Sequence, residues 1–319
     1  MTLQSYANLT NEQRIFYDSL LLDRALPSLV FNRAAVKRNI TANMGDRINF
    51  RRFELVNSAP SSITALTEGT AGARSTPSIS SVTATISQYG RFWEVTDLLE
   101  DAAMDQVMTG YTEVLGEQAG IDIDTVIRDV VTAGSTVQFA SSSASRGNVG
   151  SGMLLNSAEI REIVRTMRTN NAKPVEDGKY IAFVHPNSLA DLLNDTDAKA
   201  AFQYAAQRGD ANPLFTGIVG DYLGLRFIES SRATVSSSLG LSGADVYQMV
   251  VAADQAYAVS ELDGQTLRTY YQPRGSGGAR GDPLWQIASI GYKCAFACTR
   301  LNENFLLRLE HVTTAKQAA

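Results

Sequence analysis

The stretch from Val82 to Gly134 reads VTATISQYGRFWEVTDLLEDAAMDQVMTGYTEVLGEQAGIDIDTVIRDVVTAG. Its first third alternates: Val82, Ala84 and Ile86 are separated by Thr and Ser, the period-two pattern of a strand with one face buried. From Val107 the period changes. Val107, Tyr111, Val114, Leu115, Ala119, Ile123, Val126, Ile127 and Val130 recur at three- and four-residue steps, which is the apolar stripe of an amphipathic helix. Glu113, Glu117, Asp122, Asp124 and Asp129 are expected on its opposite face, and Gly134 is placed to stop it. About 26 helical residues would reach roughly 39 Å. Gly116 and Gly120 each cost about 1 kcal/mol against alanine, so a bend or a close approach is expected beside them. This long strand-to-helix spine carries much architecture and little chemistry.

Upstream, Ile48, Phe50 and Phe53–Val56 form the partner strand of an extended hairpin. Between the two strands lies Asn57–Ser81, 25 residues rich in Ser, Thr, Ala, Gly and Pro. A loop that long is unusual in a compact domain without a task. Solvent-facing flexibility is one reading, and an arm that lies on a neighbouring molecule is the stronger one. Further upstream, Ile15, Phe16, Leu20 and Leu22 give Asn11–Leu22 a short apolar stripe that ends before Leu26-Pro27. Such a helix is marginal alone and needs the parent domain or another subunit to dock on.

Downstream, Ser135–Asn156 contains SSSASRGNVGSG and reads as a hairpin or mobile loop. An α+β insert follows. Ser157–Asn170 is a helix with Ile160, Ile163, Val164 and Met167 on one face. Tyr180–Val184 is a buried strand, Pro186–Asn194 a short helix, and Leu225–Ile228 and Tyr247–Ala253 are strands. Gln265–Tyr271 and Ile287–Val312 return to β character, in strands expected to close against the spine helix. The order is arm, hairpin, spine helix, α+β insert and return strands, an α+β class.

The chain of 319 residues is 44% hydrophobic and 19% charged, which are globular values. Its net charge of -5 argues against tight, phosphate-dominated nucleic-acid binding, though not against a surface that nucleic acid merely lies against. Met1-Thr-Leu-Gln-Ser-Tyr lacks the basic and apolar regions of a signal peptide, and no apolar run reaches the roughly 20 residues of a membrane span. Synthesis in a cytosol is expected. Cys294 and Cys298 are too far apart on a strand for a disulfide and read as buried thiols.

Reactive constellations are missing from the pattern. His185 precedes Pro186 at a strand end, and neither it nor His311 has Cys, Asp or Glu at metal-ligand spacing, so structural roles are favoured. Asp177-Gly178-Lys179-Tyr180 lacks the upstream glycine and the Ser/Thr of a phosphate loop. Gly275-Ser-Gly-Gly-Ala-Arg-Gly281 lacks dinucleotide spacing and leads towards strands. Arg280-Gly-Asp282 reads as a turn. There is no Gly-x-Ser-x-Gly elbow. No catalytic residue, cofactor or metal is expected. Between Lys37 and Lys173 every basic residue is arginine. Arginine's rigid fork suits bidentate contacts across interfaces, and codon bias explains the same fact equally well.

Ala65-Leu-Thr-Glu-Gly69, Ser87-Gln-Tyr-Gly90, Val95-Thr-Asp97, Leu115-Gly-Glu-Gln-Ala119, Asp124-Thr-Val-Ile-Arg128-Asp, Asn171-Ala-Lys-Pro174 and Phe183-Val-His-Pro186 resemble the major capsid proteins of tailed bacteriophages. Within that group the chain is most similar to the podophage family typified by the N-four coliphage. The resemblance runs from about Phe31 to Leu225-Arg-Phe-Ile-Glu229, and the order of its motifs is more specific than any one of them. It implies the Hong Kong ninety-seven capsid fold, with an N-terminal arm (1–44), an extended β-hairpin loop (45–90), and a peripheral domain holding the spine helix (91–155). An axial α+β domain (156–263) and return strands of the peripheral domain (264–319) complete it. It also implies a structural protein of the virion that self-assembles into an icosahedral head shell around double-stranded DNA. Its partners would be its own copies in hexamers and pentamers, with a portal, scaffold and cement or decoration protein as further ones. Packaged DNA would be contacted weakly and without sequence specificity, and no membrane is involved.

Some members of that fold lock their shells through an extended-loop lysine. The loop here has none, so non-covalent contacts or a cement protein must supply late stability. Leu66, Glu68 and Arg74 at the loop tip are expected on a neighbouring subunit. Arg51, Arg52, Arg91, Glu94 and Asp97 are candidates for interfacial ion pairs, each worth little if exposed. The rival readings are an encapsulin-like shell around cargo protein and a soluble enzyme with an unrecognised site.

Overall fold

The computed structural model describes residues 29–41, 45–54, 78–102, 107–200, 220–263, 266–274 and 286–314 as continuous stretches, with isolated described positions before 29, within 65–69 and at 284. In chain order the strands are β1 (Val36–Lys37), β2 (Arg47–Glu54), β3 (Ser78–Thr85), β4 (Ser87–Thr96), β5 (Val137–Phe139), β6 (Tyr180–Val184), β7 (Asp221–Tyr222), β8 (Leu225–Glu229), β9 (Val235–Ser236), β10 (Val246–Ala252), β11 (Tyr257–Glu261), β12 (Arg268–Gln272), β13 (Ile287–Arg300) and β14 (Leu306–His311). Helices among the described residues include α1 (Asp97–Ala102), α2 (Val107–Thr132), α3 (Ser157–Thr169) and α4 (Pro186–Asn194).

The strands form three sheets. In the first, β13 pairs antiparallel with β4, β11 and β12, and β1 adds in parallel beside β11. The second runs β5-β14-β10-β6-β8-β7, with β9 also on β10. The third is a two-stranded ribbon of β2 and β3, with Arg47 opposite Thr85 and Glu54 opposite Ser78. The chain's last strand therefore lies in the second sheet, beside β10, while β11 from the insert lies in the first. Sequence order and sheet membership divide the chain differently.

The spine helix α2 runs over 26 residues, as its periodicity predicts, and packs on β13. Leu115, Ala119, Ile127 and Val131 are buried against Ile290, Tyr292, Cys294 and Phe296 of that strand. Two expectations for its faces are corrected. Val114 fits the apolar period but is 56% exposed. Asp124, expected in water, is 1% exposed because the arm crosses over it. Leu21, Phe31 and Ala34 of the arm share the core of α2. Gly116 permits this crossing, since a Cβ there would sit 2.6 Å from the Leu21 carbonyl oxygen. The arm segment through Phe31 docks on its own domain; residues 11–18 lie outside the described residues.

The second core packs α3 and α4 on the second sheet. Ile160, Ile163, Val164 and Met167 of α3 are buried as their spacing predicts. Asn156 caps α3 by accepting from the Glu159 N–H at 2.9 Å. His185 caps α4, its Nδ1 accepting from the Asn187 N–H at 3.1 Å. The expected hairpin or mobile loop at Ser135–Asn156 is corrected: β5 pairs in parallel with β14, and Ala140, Val149 and Leu155 are buried. Arg146 holds this segment down, its Nε and Nη2 donating to the two Glu310 carboxylate oxygens at 2.7 and 2.6 Å. The two cysteines are free on β13. Cys294 is buried and Cys298 half-buried, and desolvation pushes both thiols up to about 12.

Candidate assembly interface

The ribbon of β2 and β3 forms a two-stranded sheet of its own. A two-stranded sheet is marginal in water without a surface to lie on. Its root has one: Phe50 and Ala84 are buried with Ala258 and Ala297, and the Arg38 guanidinium lies 5.6 Å from the centre of the Phe50 ring. Along a strand the side chains alternate between faces. Ile48 and Phe50 therefore share the face turned to the body, while Asn49, Arg51 and Phe53 share the face turned away. Phe53 and Ile79 are directly opposite one another in register, yet they are 73% and 59% exposed.

The sequence-predicted contact residues fall on several elements. Arg51 and Arg52 are exposed on opposite faces of β2, beside a groove of about 250 Å³ between ribbon and body. Glu68 is exposed in a turn; Leu66 and Arg74 lie outside the described residues. Arg91 is engaged within its own subunit, its Nε donating to Asp122 Oδ2 at 2.9 Å and its Nη2 to Oδ1 at 3.1 Å. Gln118 and the Tyr292 hydroxyl also donate to Asp122. The Asp122 carboxylate raises the Arg91 pKa further, through hydrogen bonding first and charge second. Asp97 accepts from the Leu98 N–H at 2.7 Å at the start of α1, and its own N–H donates to the Gln286 carbonyl oxygen. Glu94 is exposed on the opposite face of β4 from Arg91. The structure does not gather these residues into one site.

Asp124 is a structural residue that the sequence pattern alone places in water. Its Oδ1 accepts from the Val30 N–H at 2.8 Å and the Phe31 N–H at 2.7 Å, capping the 3-10 turn Phe31–Ala34, and its Oδ2 faces Arg232 at 3.6 Å. Its position in the acidic stripe of α2 hides it: nothing local marks one acidic residue of five as covered. Burial raises its pKa despite the two N–H donors. Among the described residues no group of three or more His, Cys, Asp or Glu is arranged to hold a metal ion.

A family model described as phage capsid protein matches residues 79–297, from the outgoing strand of the ribbon to the far end of β13. The chain belongs to the phage capsid protein family. Solved structures agree on the fold. The capsid protein of cyanophage Pam1 superposes with a TM-score of 0.68 at 16% identity, covering 86% of this chain and 87% of that one. The capsid of Ralstonia phage GP4 gives 0.68 at 13% identity, covering 90% and 89%. A virus-like particle from Pyrococcus furiosus gives 0.52 at 12% identity, covering 93% and 99%. No curated protein matches the chain. This capsid protein is thus a major subunit of a phage head shell, and its long helix, ribbon and paired sheets are the working parts of a building block.

Proposed function

We propose that copies of this capsid protein associate as hexamers and pentamers and close into an icosahedral shell around a double-stranded DNA genome. In this reading the N-terminal segment is an arm and the ribbon with its connecting residues is the extended loop. The first sheet with α2 forms the peripheral domain, and the second sheet with α3 and α4 the axial one. The protein acts by geometry and not by catalysis. The observation that carries the reading is the ribbon: it is anchored at Phe50 and Ala84 while Phe53 and Ile79 face away from the body. A surface that its own subunit leaves open, repeated in many copies, favours head-to-tail contacts, which close into rings and curved lattices.

DNA lies against such a shell without strong capture, consistent with the net charge of -5. A shell around cargo protein is the second reading, and the likeness to the Pyrococcus furiosus particle favours keeping it. Electron microscopy of the purified protein tests shell formation. Nuclease treatment of particles recovered from infected cells then separates the two readings: protected double-stranded DNA is expected, and protected protein cargo without DNA would overturn the genome shell. A monomer or small oligomer under all assembly conditions would overturn both.

A further inference from the structure

The chain has two histidines, and the fold sets both against the same tyrosine. The centre of the Tyr247 ring lies 5.1 Å from that of His185 and 6.4 Å from that of His311. Tyr247 and His311 are opposite one another in the register of β10 and β14, and His185 stands where β6 hands over to α4. His311 is fully buried, and neither of its ring nitrogens makes a well-aligned hydrogen bond. His185 is half-buried, and its Nδ1 accepts the Asn187 N–H at 3.1 Å. The Asn187 side-chain amide in turn donates to the Tyr247 hydroxyl at 3.3 Å. These residues tie the start of α4 to the end of β14.

Beyond His311 the chain runs as a strap over the same helix. The Val312 N–H donates to the Met153 carbonyl oxygen at 2.9 Å. Thr314 closes on Asp191 of α4, its N–H donating to Oδ2 at 2.9 Å and its hydroxyl to Oδ1. A positive charge has no place in the stack. A proton on His185 Nδ1 turns the acceptor of the α4 cap into a donor facing another N–H, at the end of a helix that disfavours cations. A proton on His311 is a buried charge without a partner. From β10 it faces the Tyr247 phenol and from the start of α4 it faces His185, while Asp191 is committed to Thr314. On β14 itself Arg308 and Glu310 alternate onto the other face, where Arg146 joins them. The Leu309 carbonyl favours charge at His311, but burial first and His185 second oppose it and lower its pKa to about 4. Burial lowers the His185 pKa as well.

We propose that the His185–Tyr247–His311 stack is an acid-sensitive latch: with both imidazoles neutral it holds the strap Val312–Thr314 against α4, and their protonation frees the strap. Opening lets water reach the rings, where an imidazole takes up its proton near the ordinary value of about 6.5. The latch is therefore closed above that value and loosens as pH falls from about 6.5 towards 4. For one histidine the open fraction grows about tenfold per pH unit across that window, and loss of the His185 cap adds to it. The latch lies within one subunit and does not depend on how copies assemble.

Hydrogen exchange of the full-length, unassembled protein tests it. Protection factors of the Val312 and Thr314 amides, corrected for the intrinsic effect of pH on exchange, should fall about a hundredfold between pH 6.5 and 4.5. His311→Gln should flatten most of that fall. His185→Asn keeps a good cap acceptor without a titrating ring and should flatten part of it. Constant protection over this range in the unmodified chain would overturn the proposal, whether or not the variants fold. A fall undiminished in both variants would overturn it too. The Ile127 amide in α2 reports opening of the whole fold, and the strap amides should be at least about tenfold less protected than it at each pH. Equal protection would mean that the strap opens only by global unfolding, which also refutes the latch.

Discussion

Replacing Asp124 by alanine should loosen the arm from the spine helix, and the structure gives the size of the effect. The Asp124 carboxylate is 1% exposed and accepts from two backbone N–H groups, at Val30 and Phe31, where the arm enters the core. Alanine leaves both donors unmatched, and a buried unsatisfied group costs about 1–3 kcal/mol. Arg232 loses a carboxylate at 3.6 Å. Against this, the variant escapes the desolvation that raises the Asp124 pKa. The net loss should be about 3 kcal/mol, within the roughly 3–5 kcal/mol seen when one partner of a buried pair is removed. Asparagine keeps the shape and one acceptor oxygen, so Asp124→Asn should lose only about half as much.

At roughly 2 °C per kcal/mol for a chain of this size, alanine should lower Tm by about 6 °C and asparagine by about 3 °C. The scans belong on the unassembled protein at one fixed concentration, because assembly itself shifts Tm. The variants should also differ in pH dependence. A carboxyl whose native pKa is raised contributes stability that is full below its unfolded value of 3.8 and is lost as pH rises through the native value. Asp124→Asn removes that fall. An alanine variant that melts within 1 °C of the parent, or an asparagine variant that melts as low as alanine, would refute the capping argument.

Other residues give shorter tests. His311 is fully buried, and desolvation lowers its pKa from 6.5 to about 4. The stability it contributes is present above the unfolded value and lost as pH falls from about 6.5 through 4, by about 3 kcal/mol; Tm against pH should lose this slope in His311→Gln. Glu310, fully buried, is held by Arg146 and by Arg308 Nε at 3.0 Å. Glu310→Ala should cost roughly 3–5 kcal/mol by leaving two arginines facing each other, and limited proteolysis should cut the 140–153 segment first. Gly116→Ala gains about 1 kcal/mol of helix propensity but drives a Cβ against the Leu21 carbonyl oxygen; faster tryptic cleavage after Arg24 is the expected outcome, and an unchanged rate would show that the arm can shift. Particles boiled in denaturant should run as monomers, because no lysine lies between Lys37 and Lys173 to make a loop crosslink; a ladder of subunit multiples would contradict this.

Secondary structure and its order were legible wherever one face of an element is buried, because burial forces a period. Alternation marks β3, and three- and four-residue steps mark α2 and α3 through Leu115, Ala119, Ile127, Ile160 and Ile163. Cap chemistry at Asn156 and His185 is equally local. Tertiary structure alone decided which members of a stripe are covered. Val114 fits the apolar period yet faces water, and Asp124 fits the acidic face yet lies under the arm. Pattern reports the helix's own geometry and not what crosses it. Likewise, the Phe92–Gly291–Tyr270 row joins residues far apart in sequence through strand register, and no local signal sets three such residues side by side. The sequence by itself determined a long spine helix flanked by β elements. Only the three-dimensional pairing of β4, β12 and β13 decided which residues share a face of that sheet, because burial and register are properties of contacts between segments and not of any segment alone.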